Sequence, residues 1–270
     1  MTIDKHKVKK NFSGAKDYDN FTSYHNLTLR MISGTIKNYN SDNKYINILD
    51  IGCGTAQGYF AVKDAVSENS FDYLGLDIAL GLLKKAQKKI KANENKGSSN
   101  NAHFICGDAE LMPLCKMKFD VIFSNMTLHW LNDIGDFLNK CISLLKDDGI
   151  IILSFLISGT LKEFKENFKD TINESIKMHT FPSLEYIKEK IVTAGFKINS
   201  SESIEYIETA KSSLQLLKRI NMLGAKNAVK EKICGTALLR RVLANYDKHY
   251  RDKNGTVFCT YNIAYMILKK

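Results

Sequence analysis

Ile48-Leu49-Asp50-Ile51-Gly52-Cys53-Gly54 decides the fold class. An apolar, β-branched run ends in an acid, opens into a turn with glycines at 52 and 54, and gives way to a helical pattern over 56–66. Glycine suits such a turn because it adopts backbone conformations that a Cβ forbids and lets a ligand approach the main chain closely. The alternation continues outward. Strand patterns at 46–51, 71–77, 103–106, 119–124 and 149–155 are separated by helical patterns at 56–66, 80–92 and 134–145. Strand and helix in turn predict a mostly parallel, doubly wound sheet. Val121-Ile122-Phe123 and Ile150-Ile151-Ile152-Leu153 are apolar without a break, as central strands are when helices cover both faces. Lys96-Gly97-Ser98-Ser99-Asn100-Asn101 reads as a polar loop before the third strand.

Beyond the fifth strand the pattern changes. Helical spacing at 161–176 and 184–194 is followed by a strand at 196–207, further helices at 213–223 and 236–250, and a last strand at 257–268. Two late strands split by a helical segment predict an antiparallel end to the sheet. The first 40 residues read as helix, with Val8, Phe12, Ala15 and Tyr18 at three- and four-residue spacing. The expected organisation is an N-terminal helical cap (1–40), a core (41–210), a basic helical insert (211–254) and a final core strand (255–270), with cap and insert forming a substrate lid.

Composition narrows the class. With 44% apolar residues and only two prolines in 270, the chain is neither disordered nor a proline-rich linker. The formal net charge is +10, and it sits at one end: from Lys211 to Lys270 there are thirteen Lys or Arg against Glu231, Asp247 and Asp252. Such a block suits an acidic partner, or else a set of solvated helix faces. The polar start, Met1-Thr2-Ile3-Asp4-Lys5-His6-Lys7, is not followed by an apolar signal segment. The longest largely apolar stretch, 150–157, is far shorter than the ~18 residues of a membrane helix, so a cytoplasmic protein without a membrane partner is expected. The six cysteines (53, 106, 115, 141, 234 and 259) form no C-x-x-C pair and no zinc spacing, so no metal is indicated.

Two kinds of nucleotide cofactor compete for the glycine turn. A dinucleotide fingerprint needs G-x-G-x-x-G, but counting from Gly52 its third position is Gln57, and Gly58 comes one residue late. Asp50 at the strand end also suits a cationic ligand better than a pyrophosphate. The turn, with Leu49-Asp50-Ile51-Gly52-Cys53-Gly54, resembles the first motif of the class I S-adenosylmethionine-dependent methyltransferases. Gly75-Leu76-Asp77, Cys106-Gly107-Asp108-Ala109 and Phe119-Asp120-Val121-Ile122-Phe123-Ser124-Asn125 resemble its later motifs. A lone G-x-G turn is weak, and a single Asp is more often a cap or a loop acid; four segments in order, each at a strand end, are specific. The resemblance implies a Rossmann-like class I methyltransferase fold with S-adenosylmethionine held by Asp50, Gly52, Cys53, Gly54, Asp77, Ile78, Asp108, Ala109 and Asn125. It gives Asp77 to the ribose hydroxyls and Asp108 to the adenine amine, while Asp120 is expected to serve packing.

The acceptor is sought after the fourth strand. Enzymes that methylate exocyclic amines usually carry Asn or Asp followed by Pro-Pro-Tyr there, whereas this chain reads Ser124-Asn125-Met126-Thr127-Leu128-His129-Trp130. Four stretches are similar to the malonyl-[acyl-carrier-protein] O-methyltransferases of biotin synthesis: 8–18, 124–130, 153–163 and the ending Thr260-Tyr261-Asn262-Ile263-Ala264-Tyr265. The resemblance implies methyl transfer to the free carboxylate of a malonyl thioester on acyl-carrier protein or coenzyme A. Tyr18 and His129 are the candidate catalytic residues, as hydrogen-bond donors that orient the acceptor. Lys218 stands where relatives commonly carry Arg, with Arg219 beside it, so either cation is a candidate substrate contact. No nucleic-acid partner is expected, and the oligomeric state stays open, with a monomer favoured. An RNA methyltransferase using the basic insert, and a methyltransferase-fold assembly factor for respiratory complexes, stay open at this point.

Overall fold

The computed structural model describes residues 2–14, 19, 23–42, 44–66, 71–93, 102–115, 117–172, 179–222 and 236–270. Two helices lead, α1 (Lys5–Ser13) and α2 (Ser23–Tyr39), followed by alternating β1 (Ile46–Ile51), α3 (Gln57–Ala65), β2 (Phe71–Asp77), α4 (Leu80–Ala92), β3 (Ala102–Cys106), β4 (Phe119–Asn125), α5 (Ile134–Leu144) and β5 (Leu145–Leu156). The second half adds α6 (Lys162–Ile172), α7 (Leu184–Thr193), β6 (Lys197–Ala210), α8 (Ser213–Met222), α9 (Thr236–His249) and β7 (Val257–Lys269).

Among the described residues the strands form one seven-stranded sheet in the order β3-β2-β1-β4-β5-β7-β6. The pairs β1–β2, β1–β4, β2–β3 and β4–β5 are parallel. β7 is antiparallel to both neighbours, β5 and β6. This is the class I methyltransferase fold. Because the parallel strands share a direction, Ile51, Asp77, Cys106 and Asn125 all end at one edge, the side on which open α/β sheets bind ligands.

Two apolar layers sandwich the sheet. On one face Leu29, Ile32 and Ile36 of α2, Tyr59 and Val62 of α3, and Ala86 and Ile90 of α4 pack on Ile48, Tyr73, Val121, Phe123 and Ile152. On the other, Phe137, Leu138 and Cys141 of α5 and Ile187 and Ile191 of α7 pack on Leu49, Ile51, Ile122, Ile151 and Leu153. Alternate residues of each strand serve opposite layers, the period-two geometry behind unbroken apolar strands.

The β6–β7 ribbon outruns β5. β5 pairs with β7 only as far as Leu156↔Ile263, whereas β6 and β7 remain paired out to Ala210↔Val257. The overhang rises past the ligand-binding edge, and there Phe164 and Phe168 of α6, Leu216 and Ile220 of α8, and Val242 and Tyr246 of α9 gather around Tyr261 and Cys259. The described part of the basic segment is thereby fixed at the site end of the sheet.

Several expected boundaries shift for identifiable reasons. The leading segment is not one continuous helix: α1 is capped by Asp4, which accepts from the Lys7 N–H, and ends where Gly14 donates back to the Lys10 carbonyl. Residues 15–18, including Ala15 and Tyr18 of the expected helical stripe, lie outside the described residues. β5 starts at Leu145 rather than 149, because Leu145 already pairs with Phe119 across an irregularity in the β4–β5 register. Asp120 is structural, as expected: it accepts from the Asn47 N–H at 2.7 Å and from Lys146 Nζ at 2.8 and 2.9 Å, away from the ligand edge.

Glu163 ties α6 to the last strand. It is 2% exposed and accepts from both the backbone N–H of Thr260 (3.1 Å) and the Thr260 hydroxyl. Removing a buried charged acceptor strands its donors. Glu163→Ala should therefore lower the unfolding free energy by about 2 kcal/mol, read as a fall in urea midpoint at constant m-value.

Candidate active site

The glycine turn after β1 is bonded to the end of β2. The N–H groups of Gly52 and Cys53 both donate to the Leu76 carbonyl, at 2.7 and 3.1 Å, and the Gly54 N–H donates to Asp77 Oδ2 at 2.9 Å. The Ala79 N–H occupies the other oxygen, Asp77 Oδ1, at 2.7 Å. Burial pushes the Asp77 carboxyl up to about 6, against the pull of these two N–H groups. Gly52 is required here: its φ is +80°, and an added Cβ would overlap Thr127 Oγ1.

A cleft lies over this turn, enclosing about 620 Å³ of atom-free space that is partly open to solvent. Gly52, Asp77, Ile78, Asp108, Ala109 and Asn125 line it, so six of the residues expected to hold the cofactor meet in one wall. Asp108 caps the short turn Ala109–Leu111 by accepting from the Glu110 N–H at 3.0 Å. It also meets Lys5 Nζ at 3.4 Å, and Lys5 pairs with Glu110 as well. Lys5, Val8 and Phe12 bring α1 over the cleft, with Phe12 edge-on to Trp130 at 5.6 Å. Asn132 holds the start of this cap through two bonds to the Ile3 backbone, 2.6 and 3.1 Å.

A smaller cavity adjoins it and shares Gly52 and Asn125 in its lining. Asp50 at the end of β1, Cys53 and Thr55 of the turn, and Gln57 and Gly58 of α3 line it, with His25 and Leu29 from α2. Asp19 braces this end by accepting from Thr55 Oγ1 (2.5 Å) and Gln57 Nε2 (2.9 Å) while pairing with Lys89. Asn125, at the junction, is fully oriented: its Oδ1 accepts from Thr28 Oγ1 at 2.7 Å and from Ser154 Oγ, and its Nδ2 donates to the His25 carbonyl at 3.2 Å. The backbone just beyond is unusual, because Met126 is a non-glycine residue at φ +57°, the kind of local strain that collects at functional sites.

The remaining candidates fall elsewhere. Gly54 lines neither space and acts through its N–H on Asp77. Tyr18 lies outside the described residues. His129 is buried beside these spaces and is not among the residues that line them. Its Nδ1 accepts from the Leu156 N–H at 3.3 Å, which puts the ring proton on Nε2, and its carbonyl accepts from His179 Nε2 at 2.9 Å. Burial, helped by His179 and His25, lowers its pKa well below the usual imidazole range. Arg219 ties α8 to β6: its Nη1 donates to Glu208 Oε1 and to the Thr209 carbonyl, each at 3.0 Å. Lys218, next to it on α8, is exposed.

Strand-end acids and glycine spacing were visible in the sequence. His25, Thr28, Asp19 and Lys5 were not singled out, because they reach the site from other segments and carry no local motif; Thr127 lies within the 124–130 stretch, but its packing against Gly52 shows only in the fold.

Comparison with known proteins fits this geometry. A profile of the methyltransferase domain family matches residues 42–223. Malonyl-[acyl-carrier protein] O-methyltransferase 2 of Ilyobacter polytropus is 32% identical over 99% of both chains. The chain belongs to the malonyl-[acyl-carrier protein] O-methyltransferase family. It is thus an S-adenosylmethionine-dependent O-methyltransferase. The Methylovorus relative of the same name is 29% identical over 81% of this chain and 73% of its own. The bifunctional biotin-biosynthesis protein BioHC of Saccharophagus degradans is 27% identical over 83% of this chain and 40% of its own length. Among solved structures, the YcgJ protein of Bacillus superposes at TM-score 0.56 and 15% identity over 84% of this chain and 92% of its own. The [4+2]-cyclase SpnF also reaches TM-score 0.56, at 17% identity over 89% of this chain and 81% of its own, a likeness of fold alone. No helix among the described residues is long and apolar enough to cross a membrane.

The residues present fit the cofactor. A glycine cradle that a Cβ would fill and a carboxylate at the end of β2 are what a ribose-bearing cation needs. Gly52→Ala should weaken S-adenosylhomocysteine binding at least tenfold, since the left-handed backbone alone costs roughly 1–2 kcal/mol and the Cβ displaces Thr127; calorimetric titration reads the loss.

Proposed function

We propose that the enzyme esterifies the free carboxylate of a malonyl thioester, carried by acyl-carrier protein or coenzyme A, giving the methyl ester that primes pimelate synthesis for biotin. The full-length likeness to the Ilyobacter enzyme carries this assignment. In it the cleft receives the nucleoside: Asp77 accepts from the ribose hydroxyls, Asp108 meets the adenine amine, and Ile78 and Ala109 flank the base. The smaller cavity receives the amino-acid tail, against Asp50, Gly52 and Cys53, with Gly54 holding Asp77 in place. Asn125, lining both spaces, lies beside the reacting centre. When bound, the cofactor supplies an electrophilic methyl group on a sulfonium.

A carboxylate with pKa ~4 is already ionised at neutral pH, so the chain need not supply a strong base. Its task is to orient the anion and exclude water. Tyr18 is the proposed donor to the acceptor. His129 enters as a brace for the wall, holding the end of β5 at Leu156. Phe12, Trp130 and Met126 provide the apolar cover. The exposed Lys218, Arg240 and Lys248 on α8 and α9 stand at the site end of the sheet, where a basic face suits an acidic carrier protein in the cytoplasm.

A labelled-methyl assay comparing malonyl-carrier protein, malonyl-coenzyme A and bulk RNA should show transfer to the malonyl thioesters alone, and Tyr18→Phe should cut that rate by at least tenfold with cofactor affinity retained. Methyl incorporation into RNA with steep salt dependence would replace this assignment. Acid should also weaken the nucleoside site, because only the ionised Asp77 accepts from two hydroxyls. With its carboxyl near 6, affinity for 5′-methylthioadenosine, which has the ribose but no amino-acid tail, should fall about tenfold from pH 7 to pH 5.

A further inference from the structure

Asp50 occupies an awkward place for a charge. It is 2% exposed on the sheet face covered by α2 and α3, and no ion pair reaches it among the described residues. Its hydrogen-bond partner is Tyr73, also buried, whose hydroxyl meets Asp50 Oδ2 at 2.5 Å. The β1–β2 register explains the pairing. Asp50 lies opposite Gly75, and Tyr73, two residues earlier on the same face of β2, reaches it diagonally across the side-chain-free glycine. Tyr73 is itself locked by edge contacts with Tyr59 at 5.4 Å and Phe104 at 6.2 Å. On its other side the carboxyl abuts Gly58, where any Cβ would overlap Oδ2, and it opens on the smaller cavity.

We propose that Tyr73 is a positioning residue that holds Asp50 as a proton-bearing pair in the free enzyme and as a carboxylate once the cofactor's α-ammonium arrives, so that binding expels one proton to solvent. A phenol hydroxyl both donates and accepts, so Tyr73 serves either form of the acid. The balance is simple: the Asp50 O–H bond breaks, the proton leaves to water, and the carboxylate faces the ammonium. An apolar interior tolerates a neutral acid or an ion pair but not a bare charge.

The groups facing Asp50 agree. From β2 come Tyr73 and Asp77, from the turn Cys53, from α2 His25 and from α3 Tyr59, and none of them is a cation at neutral pH. Burial holds His25 down at about 3. Burial first and the nearby Asp77 second raise the Asp50 carboxyl to about 8, against the Tyr73 hydrogen bond, which lowers it. Below that value the free enzyme carries the proton; above it, there is none to expel.

This rests on the tail of S-adenosylmethionine occupying the smaller cavity, and calorimetry separates the two. Full-length enzyme is titrated with S-adenosylhomocysteine at pH 7 in buffers of different ionisation enthalpy, and with 5′-methylthioadenosine, which lacks the α-ammonium. Release of close to one proton is expected for the first ligand, falling as pH rises through 8 to 9, and no more than about a tenth of a proton, from Asp77, for the second. Asp50→Asn should abolish the release. Tyr73→Phe should weaken S-adenosylhomocysteine about tenfold while leaving 5′-methylthioadenosine unchanged, as losing a hydrogen bond to a charged group would. Binding of S-adenosylhomocysteine without buffer dependence overturns the proposal but keeps the cofactor site. Release that persists in Asp50→Asn assigns the proton elsewhere and overturns it. Equal weakening of both ligands by Tyr73→Phe reduces Tyr73 to packing. Failure of S-adenosylhomocysteine to bind at all overturns the cofactor site on which the proposal rests.

Discussion

Everything at the active edge depends on three backbone N–H groups of one turn. Gly52, Cys53 and Gly54 direct them to the Leu76 carbonyl and the Asp77 carboxylate, fastening the end of β1 to the end of β2. A glycine turn left to itself is conformationally loose. Bonded to its neighbour strand, it becomes a rigid rim with the larger cleft on one side and the smaller cavity on the other. Thr127, packed where a Gly52 Cβ would be, joins the rim to the end of β4. Three strand ends thereby become one surface.

The rest of the chain closes that surface from separate directions. α1 covers the cleft through Val8 and Phe12, α2 fills in behind Asn125 through His25 and Thr28, and Asp19 joins the turn to Lys89. The amide of Asn125 is consequently fixed from two elements before any ligand arrives. Such preorganisation is what a transfer reaction limited by positioning requires.

The parallel core was legible because its signals are local. Apolar runs, glycine spacing and the acids Asp50, Asp77 and Asp108 lie within a few residues of the turns they define. The departures arise where a long-range contact decides. Nothing near Arg219 in the sequence indicates that Glu208, across a turn and on β6, takes its guanidinium. His129 sits in a suggestive stretch, yet the Leu156 N–H engages its ring from the far end of β5. The importance of Tyr73 depends on cross-strand register, with Gly75 leaving the space opposite Asp50, and register is not written in either strand alone.

The position of β7 has a consequence for how the enzyme is made. The last thirteen-residue strand is an interior member of the sheet, hydrogen-bonded to β5 on one side and β6 on the other. Until it emerges from the ribosome, β5 presents a long open edge and β6 has no partner. Open strand edges invite wrong pairing, and contacts between distant parts of a chain form slowly. The nascent protein therefore completes its sheet only once β7 has been made, and with it the floor beneath α6, α8 and α9.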